Sequence, residues 1–326
     1  MSDSSPVESR FKKGKVWLFD WLKVGFVPGR VLNWEWLLMR IFFSGIIIRH
    51  LFDADPFRYD SQPSPNGVAK IIDLSWMGED WVHPLFKILT IFCVVLYVFG
   101  RGYVIALPLL AVMSTLAGTI ENSQGAFKHS HNLITQVLII QAIVAVWPWV
   151  HRVRQGKALA LPEKLSMASY YLYYTQAMIA GSYVIAALSK FLNSKGLWVW
   201  NSPYIALDLV KSQRQAYYRY IDDPSLVESA LAAEWVVNHP WFSRMGFGGA
   251  FFLEAFALIA LKNRPWAFFI GLSLIAMHRG IFYLMHLHFG YNELILLIFF
   301  CNLPYWMWRL GNKPSGLQPL RWQAAQ

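Results

Sequence analysis

The chain has 326 residues, of which 56% are hydrophobic and only 15% charged, well below the roughly 25% charged residues of a soluble domain, so an ordinary soluble globular protein is excluded. A formal net charge of +10 would favour nucleic acid in a soluble protein. Here no basic run is interleaved with stacking aromatics in a soluble segment, so nucleic acid is excluded and the excess is read as Lys and Arg gathered on the cytoplasmic flanks of membrane helices.

A span needs about 20 mostly apolar residues to cross some 30 Å of hydrocarbon. Segments near 31–51, 82–99, 103–120, 130–150, 167–189, 247–262, 265–285 and 290–308 meet this pattern. They predict an all-α polytopic membrane helix bundle of about eight spans over 31–308. A basic N-terminal segment, 1–30, precedes it and a short tail, 309–326, follows. The lipid bilayer is the first partner implied, and the 17% aromatic content suits side chains at headgroup level. Cys93 and Cys301 fall inside apolar segments and read as small buried hydrophobes, with neither a disulfide framework nor a Cys-based zinc pattern.

Loop charges set the orientation. Arg10, Lys12, Lys13, Lys15, Lys23 and Arg30 precede the first span and place the N-terminus in the cytoplasm. The loop 52–81 is acidic and falls outside. Arg101 in the turn 100–102, Arg152, Arg154, Lys157 and Lys164 after the fourth span, Lys262 and Arg264, and the tail with Arg309, Lys313 and Arg321 all fall inside. Both termini are therefore expected in the cytoplasm. Segment 11–27 alternates basic and aromatic residues and reads as an anchor on the inner surface. The large outer loop, 191–246, mixes tryptophans and tyrosines with charges. Its stretch 203–218 carries apolar residues at helical spacing beside Lys211 and Arg214 and predicts a helix lying in the interface.

Charges at bilayer depth are costly, so each marks either function or an internal pair. Glu35 and Arg49 lie near the ends of the first span, where they can snorkel. Arg40 lies deeper and calls for an acid on another helix. His129 and His131 open the fourth span with Ser130 and Asn132. Their spacing suits a metal on a strand but not on one helix face, and a hydrogen-bonding His at the outer mouth is the ordinary reading. Lys190 closes the fifth span at its outer end, where it either snorkels or faces the bundle and offers a neutral amine as a general base. Glu254 is mid-span in the sixth and is either protonated or paired. His278 lies in the seventh, with Arg279 after it, and His286, His288, Tyr291 and Glu293 surround the start of the eighth. Convergence of His131, Lys190, Glu254 and His278, from four helices, would make a polar chamber near the outer leaflet. No phosphate loop, nucleophile elbow or zinc-protease motif occurs, and no His pair at matched depth marks a haem.

At these residues the sequence resembles the horizontally transferred transmembrane family, which includes the membrane domain of vitamin K-dependent gamma-carboxylase. The carrying features are His129-Ser130-His131-Asn132 opening an apolar helix, then Trp147-Pro148, then the run from Tyr183 through Ala186, Ala187, Ser189 and Lys190 to Phe191, and Trp198. Glu254 and His278 echo an acidic residue and a His of the family's later spans, with His286 as the other match for that His. The resemblance covers roughly 30–305.

The resemblance implies an enzyme that acts through a reduced vitamin K or another membrane hydroquinone. An amine deprotonates the hydroquinone, and oxygen converts it to a strongly basic alkoxide. This base removes a proton from the gamma carbon of a glutamate, and the carbanion captures carbon dioxide. Lys190 matches the amine and His131 a supporting His, with His129 as the other possible match. His129, Asn132, Trp198, Glu254 and His278 would line the quinol site, and a dry site protects so strong a base from water. The animal-type carboxylase carries a large soluble portion after its membrane region, and only the loop 191–246 stands for it in this chain. A peptide or protein substrate is thus the second partner implied. Two other readings stay open on the residues alone: a non-catalytic binding or export-accessory protein for a peptide or lipid, and a quinone-linked redox protein.

Overall fold

A computed structural model describes residues 28–53, 61–125, 129–157, 159, 165–219, 225–285 and 287–311. Segment 11–27, His286 and most of the tail lie outside the described residues, as does the side chain of His129. The regular elements among the described residues are all helices, with no strand. In chain order they form α1 (Asn33–Asp53), α2 (Val82–Phe99), α3 (Tyr103–Asn122), α4 (His129–Gln155), α5 (Met167–Asn193), α6 (Trp198–Asn201), α7 (Ile205–Arg219), α8 (Ser225–Asn238), α9 (Pro240–Ala255), α10 (Arg264–Met285), α11 (Gly290–Leu296) and α12 (Leu303–Gly311). A 3₁₀ segment, Ala257–Lys262, extends α9, and a π-turn, Leu297–Cys301, joins α11 to α12.

Each predicted apolar segment is helical. Five stretches are long and apolar enough to cross a membrane: Val82–Phe99, Tyr103–Asn122, His131–Gln155, Arg264–Met285 and Gly290–Gly311. The protein is accordingly read as a multi-pass membrane protein. α1 carries Glu35, Arg40 and Arg49, α5 is rich in tyrosine, and α9 has only 16 residues, so these three fall short on composition or length.

The helices turn apolar side chains both inward and outward. On α2, Phe86, Cys93, Val94 and Tyr97 are buried, while Leu85, Ile88, Phe92, Val95 and Phe99 form an exposed stripe on the opposite side. A helix at a water boundary would put polar residues there; an apolar outer stripe suits hydrocarbon. The hairpin between α2 and α3 closes on Gly100 and Gly102, both left-handed (φ 73° and 66°). At Gly100 a Cβ would also stand 2.7 Å from the Arg40 guanidinium, so the turn needs both the free backbone and the missing side chain.

Polar groups inside the bundle are joined across helices, as a dry interior requires. Arg40 donates to the Tyr97 carbonyl (3.0 Å) and the Tyr103 hydroxyl (2.6 Å). The acid expected as its partner is absent among the described residues; a carbonyl at a helix end and a phenol serve instead. The Tyr97 hydroxyl donates to Gln141 (2.8 Å), which donates to Thr175 on α5 (3.1 Å). Glu35 does not snorkel. It is fully buried, held by both terminal nitrogens of Arg264 (2.5 and 3.0 Å) and by Asn302 (2.5 Å). α5 lies at the centre, against α4, α9 and the 3₁₀ segment, and Gln176 on it donates to the Phe299 carbonyl in the π-turn (2.7 Å).

Candidate functional site

Lys190 sits near the end of α5, and its ammonium nitrogen pairs directly with the Glu254 carboxylate on α9. Glu254 is buried, while the Lys190 side chain keeps 31% of its exposure. The amine is thus neither snorkelled into the open nor sealed away. The Trp198 ring lies over it, its centroid 5.7 Å from Nζ. α6 is held there by close packing: a Cβ on Gly248 of α9 would stand 2.9 Å from the Val199 side chain. The indole is therefore placed by the α6–α9 contact and not by the chain next to Lys190.

Two helical turns before Lys190, on the same face of α5, Tyr183 is buried and its hydroxyl meets His278 Nε2 of α10 at 2.7 Å. His278 is buried, packs against the Phe289 ring (centroids 4.7 Å apart), and its Nδ1 has no hydrogen-bond partner among the described residues. Glu293 on α11 pairs with Arg279 at 2.6 Å. Four helices and the short α6 therefore bring an amine, two carboxylates, a phenol, an imidazole and an indole to one region.

His131 belongs to a neighbouring cluster. Its Nδ1 meets Glu121 of α3 at 2.5 Å, and its ring packs edge-on to those of His50 (4.8 Å) and Tyr291 (5.2 Å). His50 in turn meets the Ser114 hydroxyl at 3.0 Å, and Ser114 meets Thr135 at 2.6 Å. Asn132 accepts from Asn122 at 3.2 Å and ties α3 to α4. Among the described residues, no hydrogen bond, ion pair or ring contact joins His131 to Lys190. The first turn of α11 touches both clusters, with Tyr291 against His131 and Glu293 paired with Arg279, the neighbour of His278 on α10.

The structure thus gathers Lys190, Trp198 and Glu254, sets His278 beside them through Tyr183, and leaves His131 and Asn132 in the second group. Glu121, His50 and Tyr183 were not singled out from sequence as site residues. Glu121 falls one residue past the predicted end of the third span, and its carboxylate beside an apolar run was the available signal. Tyr183 was detectable by its seven-residue spacing from Lys190.

Chemically, an amine and a buried carboxylate in contact can exchange a proton with no change in the net charge of the pair. The Lys190 side chain is partly exposed, so the pair lies at the border of the buried interior.

Comparison with protein-family models, with curated proteins and with solved structures finds no match to this chain.

Proposed function

We propose that this chain is an eight-span membrane enzyme, with both termini in the cytoplasm, whose Lys190–Glu254 pair performs acid–base chemistry on a reduced quinone near the outer leaflet. The reading follows the resemblance to the membrane domain of vitamin K-dependent gamma-carboxylase, and one observation carries it: the amine at the matching position contacts a buried carboxylate beneath an indole, on a side chain that is partly exposed. The eight-span count adds α1, α5 and α9 with its 3₁₀ extension to the five strongly apolar stretches. It is supported by the internal partners that their polar residues find.

The donor set suits a hydroquinone. The ammonium proton passes to Glu254, the neutral Lys190 amine then takes a phenolic proton, and the one positive charge that the pair gains is balanced by the quinolate it leaves. Trp198 walls the site and limits water. Tyr183 and His278 provide a second hydrogen-bonding couple on the same side, and His131 with Glu121 contributes from the neighbouring cluster. The quinol, when bound, supplies reducing equivalents and, with oxygen, the strong base for carbanion and carboxylation-type chemistry. The outer segment 191–246, with Arg244 stacked on Trp200 and Trp241 (3.9 and 4.9 Å to the ring centroids), presents an aromatic surface to a peptide. That surface is also what favours the alternative, a non-catalytic membrane protein that binds a peptide or lipid.

The test uses the full chain in nanodiscs with vitamin K hydroquinone, oxygen and bicarbonate, following hydroquinone consumption. Wild type is expected to consume it, Lys190→Ala to fall to the protein-free rate, and Glu254→Gln to be slowed at least about a hundredfold, the low end of the range for losing a positioned proton-transfer group. Equal rates for wild type and Lys190→Ala would remove the amine from the chemistry and leave the binding role.

A further inference from the structure

α6 has only four residues, Trp198–Asn201, and a helix this short is not stable on its own. It lies on α9 through two contacts. Val199 packs over Gly248, and the Trp200 carbonyl accepts from Arg244 Nε at 3.3 Å. Residues 244 and 248 are one turn apart on the same face of α9, so α6 is seated along that face. Leu197 and Trp200 are exposed, and Trp198 and Val199 are the half-buried pair between them. The turn that leads in from α5 does not favour this arrangement by itself. Lys195 and Gly196 are both left-handed (φ 53° and 83°), and a lysine holds that conformation only where its surroundings impose it.

We propose that Gly248 is a positioning residue for the Lys190–Glu254 pair: it seats α6, and through Val199 it sets whether Trp198 covers the amine. The inference rests on the reading that this pair is the working site, and it adds a control on that site by a residue with no side chain of its own. α9 carries both Glu254 and the seat, so acid and cover are fixed to one helix while the amine comes from α5. Val199 is β-branched and stiff at χ1, so it does not yield readily to a new neighbour. One methyl group at position 248 would stand 2.9 Å from its Cγ1 and would push α6 off α9. The left-handed turn at Lys195 then works against reseating, and the indole leaves the amine.

The experiment treats the full chain in nanodiscs with an amine-acetylating reagent and follows Lys190 by peptide mass spectrometry, with the exposed Lys195 as internal standard. Trp198→Ala gives the uncovered rate, expected above that of wild type. Gly248→Ala should raise the Lys190 rate about fivefold or more, the factor that matches the low end of the cost of overpacking. Adding Val199→Ala should return it to within about twofold of wild type, because the methyl group at 248 then occupies space that the valine leaves. Should Gly248→Ala not fold, Val199→Ala alone reads the same seat: it should speed Lys190, and the double variant should slow it again. An unchanged Lys190 rate in Trp198→Ala, Gly248→Ala or Val199→Ala, no recovery in the double variant, or an equal change at Lys195 would each overturn the assignment. No quinol takes part in the labelling, so failure of the seat and failure of the quinol chemistry are read separately.

Discussion

Lys190 and Glu254, 64 residues apart in sequence, form a direct ion pair in which the acid is buried and the base is not. That asymmetry fixes what each substitution should do. Glu254→Gln leaves an ammonium facing an amide. A hydrogen bond to a charged group is worth about 1.5–3 kcal/mol, and a loss of that order is expected in unfolding of the detergent-solubilised protein. Lys190→Met in the same background should recover part of it, because it removes the charge left without its counter-ion beside the buried amide. A double-mutant cycle reads the coupling, and a coupling near zero would mean that the contact holds nothing together.

The eight-span topology makes a labelling pattern. Lys70 lies in the loop between α1 and α2, Arg101 in the hairpin between α2 and α3, and Asn263 between α9 with its extension and α10. Cys93 and Cys301 are buried and should react slowly. A membrane-impermeant maleimide applied to intact cells should modify Lys70→Cys, and should modify Arg101→Cys and Asn263→Cys only after permeabilisation. Labelling of Lys70→Cys and Asn263→Cys from the same side would require an even number of spans between them, where the eight-span topology has five, and would break the topology.

The outer stripe of α2 separates a membrane helix from a soluble one. Phe92 is 56% exposed and Ile71, in the loop between α1 and α2, 86% exposed. In water both would tolerate Lys within about 0.5 kcal/mol. In a bilayer Phe92→Lys places a charge mid-span at a cost of about 2.5–3.5 kcal/mol, whereas Ile71→Lys stays near neutral. Yield in the membrane fraction and thermal unfolding should fall for the first and not the second. Equal tolerance would mean that the stripe faces something other than lipid.

How much of this was legible depended on what local sequence encodes. The positions of the helices were, because apolar runs of about 20 residues and the glycine pair at 100 and 102 leave few alternatives. Lys190, Glu254 and His278 stood out as isolated polar residues in apolar context. Their pairing did not, since the register of α5 against α9 is set by side-chain packing across the bundle. For the same reason His131 was expected beside Lys190, whereas the carboxylate ending α3 and the rings of His50 and Tyr291 engage it first. Arg40 shows the limit most plainly: sequence asked for an acid, and the fold answered with a carbonyl and a phenol.

Glu35 is where the ends of the bundle are tied. Its carboxylate takes both terminal nitrogens of Arg264 and the Asn302 amide, and also accepts from the Leu32 backbone at 3.2 Å. The same guanidinium reaches the Arg30 carbonyl at 2.8 Å and lies 3.9 Å from the Tyr305 ring centroid, so it joins α1, α10 and α12 at one point. Arg264→Ala would strand a fully buried carboxylate, and about 3–5 kcal/mol of stability should be lost. Arg264→Lys restores the charge but not the two-pronged contact, so it should recover only part of that loss. Glu35→Gln should be milder than Arg264→Ala, because the amide carries no charge to bury. Thermal unfolding in a fixed detergent gives the order directly, and a value for Arg264→Ala within about 1 kcal/mol of wild type, as expected for an exposed pair, would show that this junction is wetter than its geometry indicates.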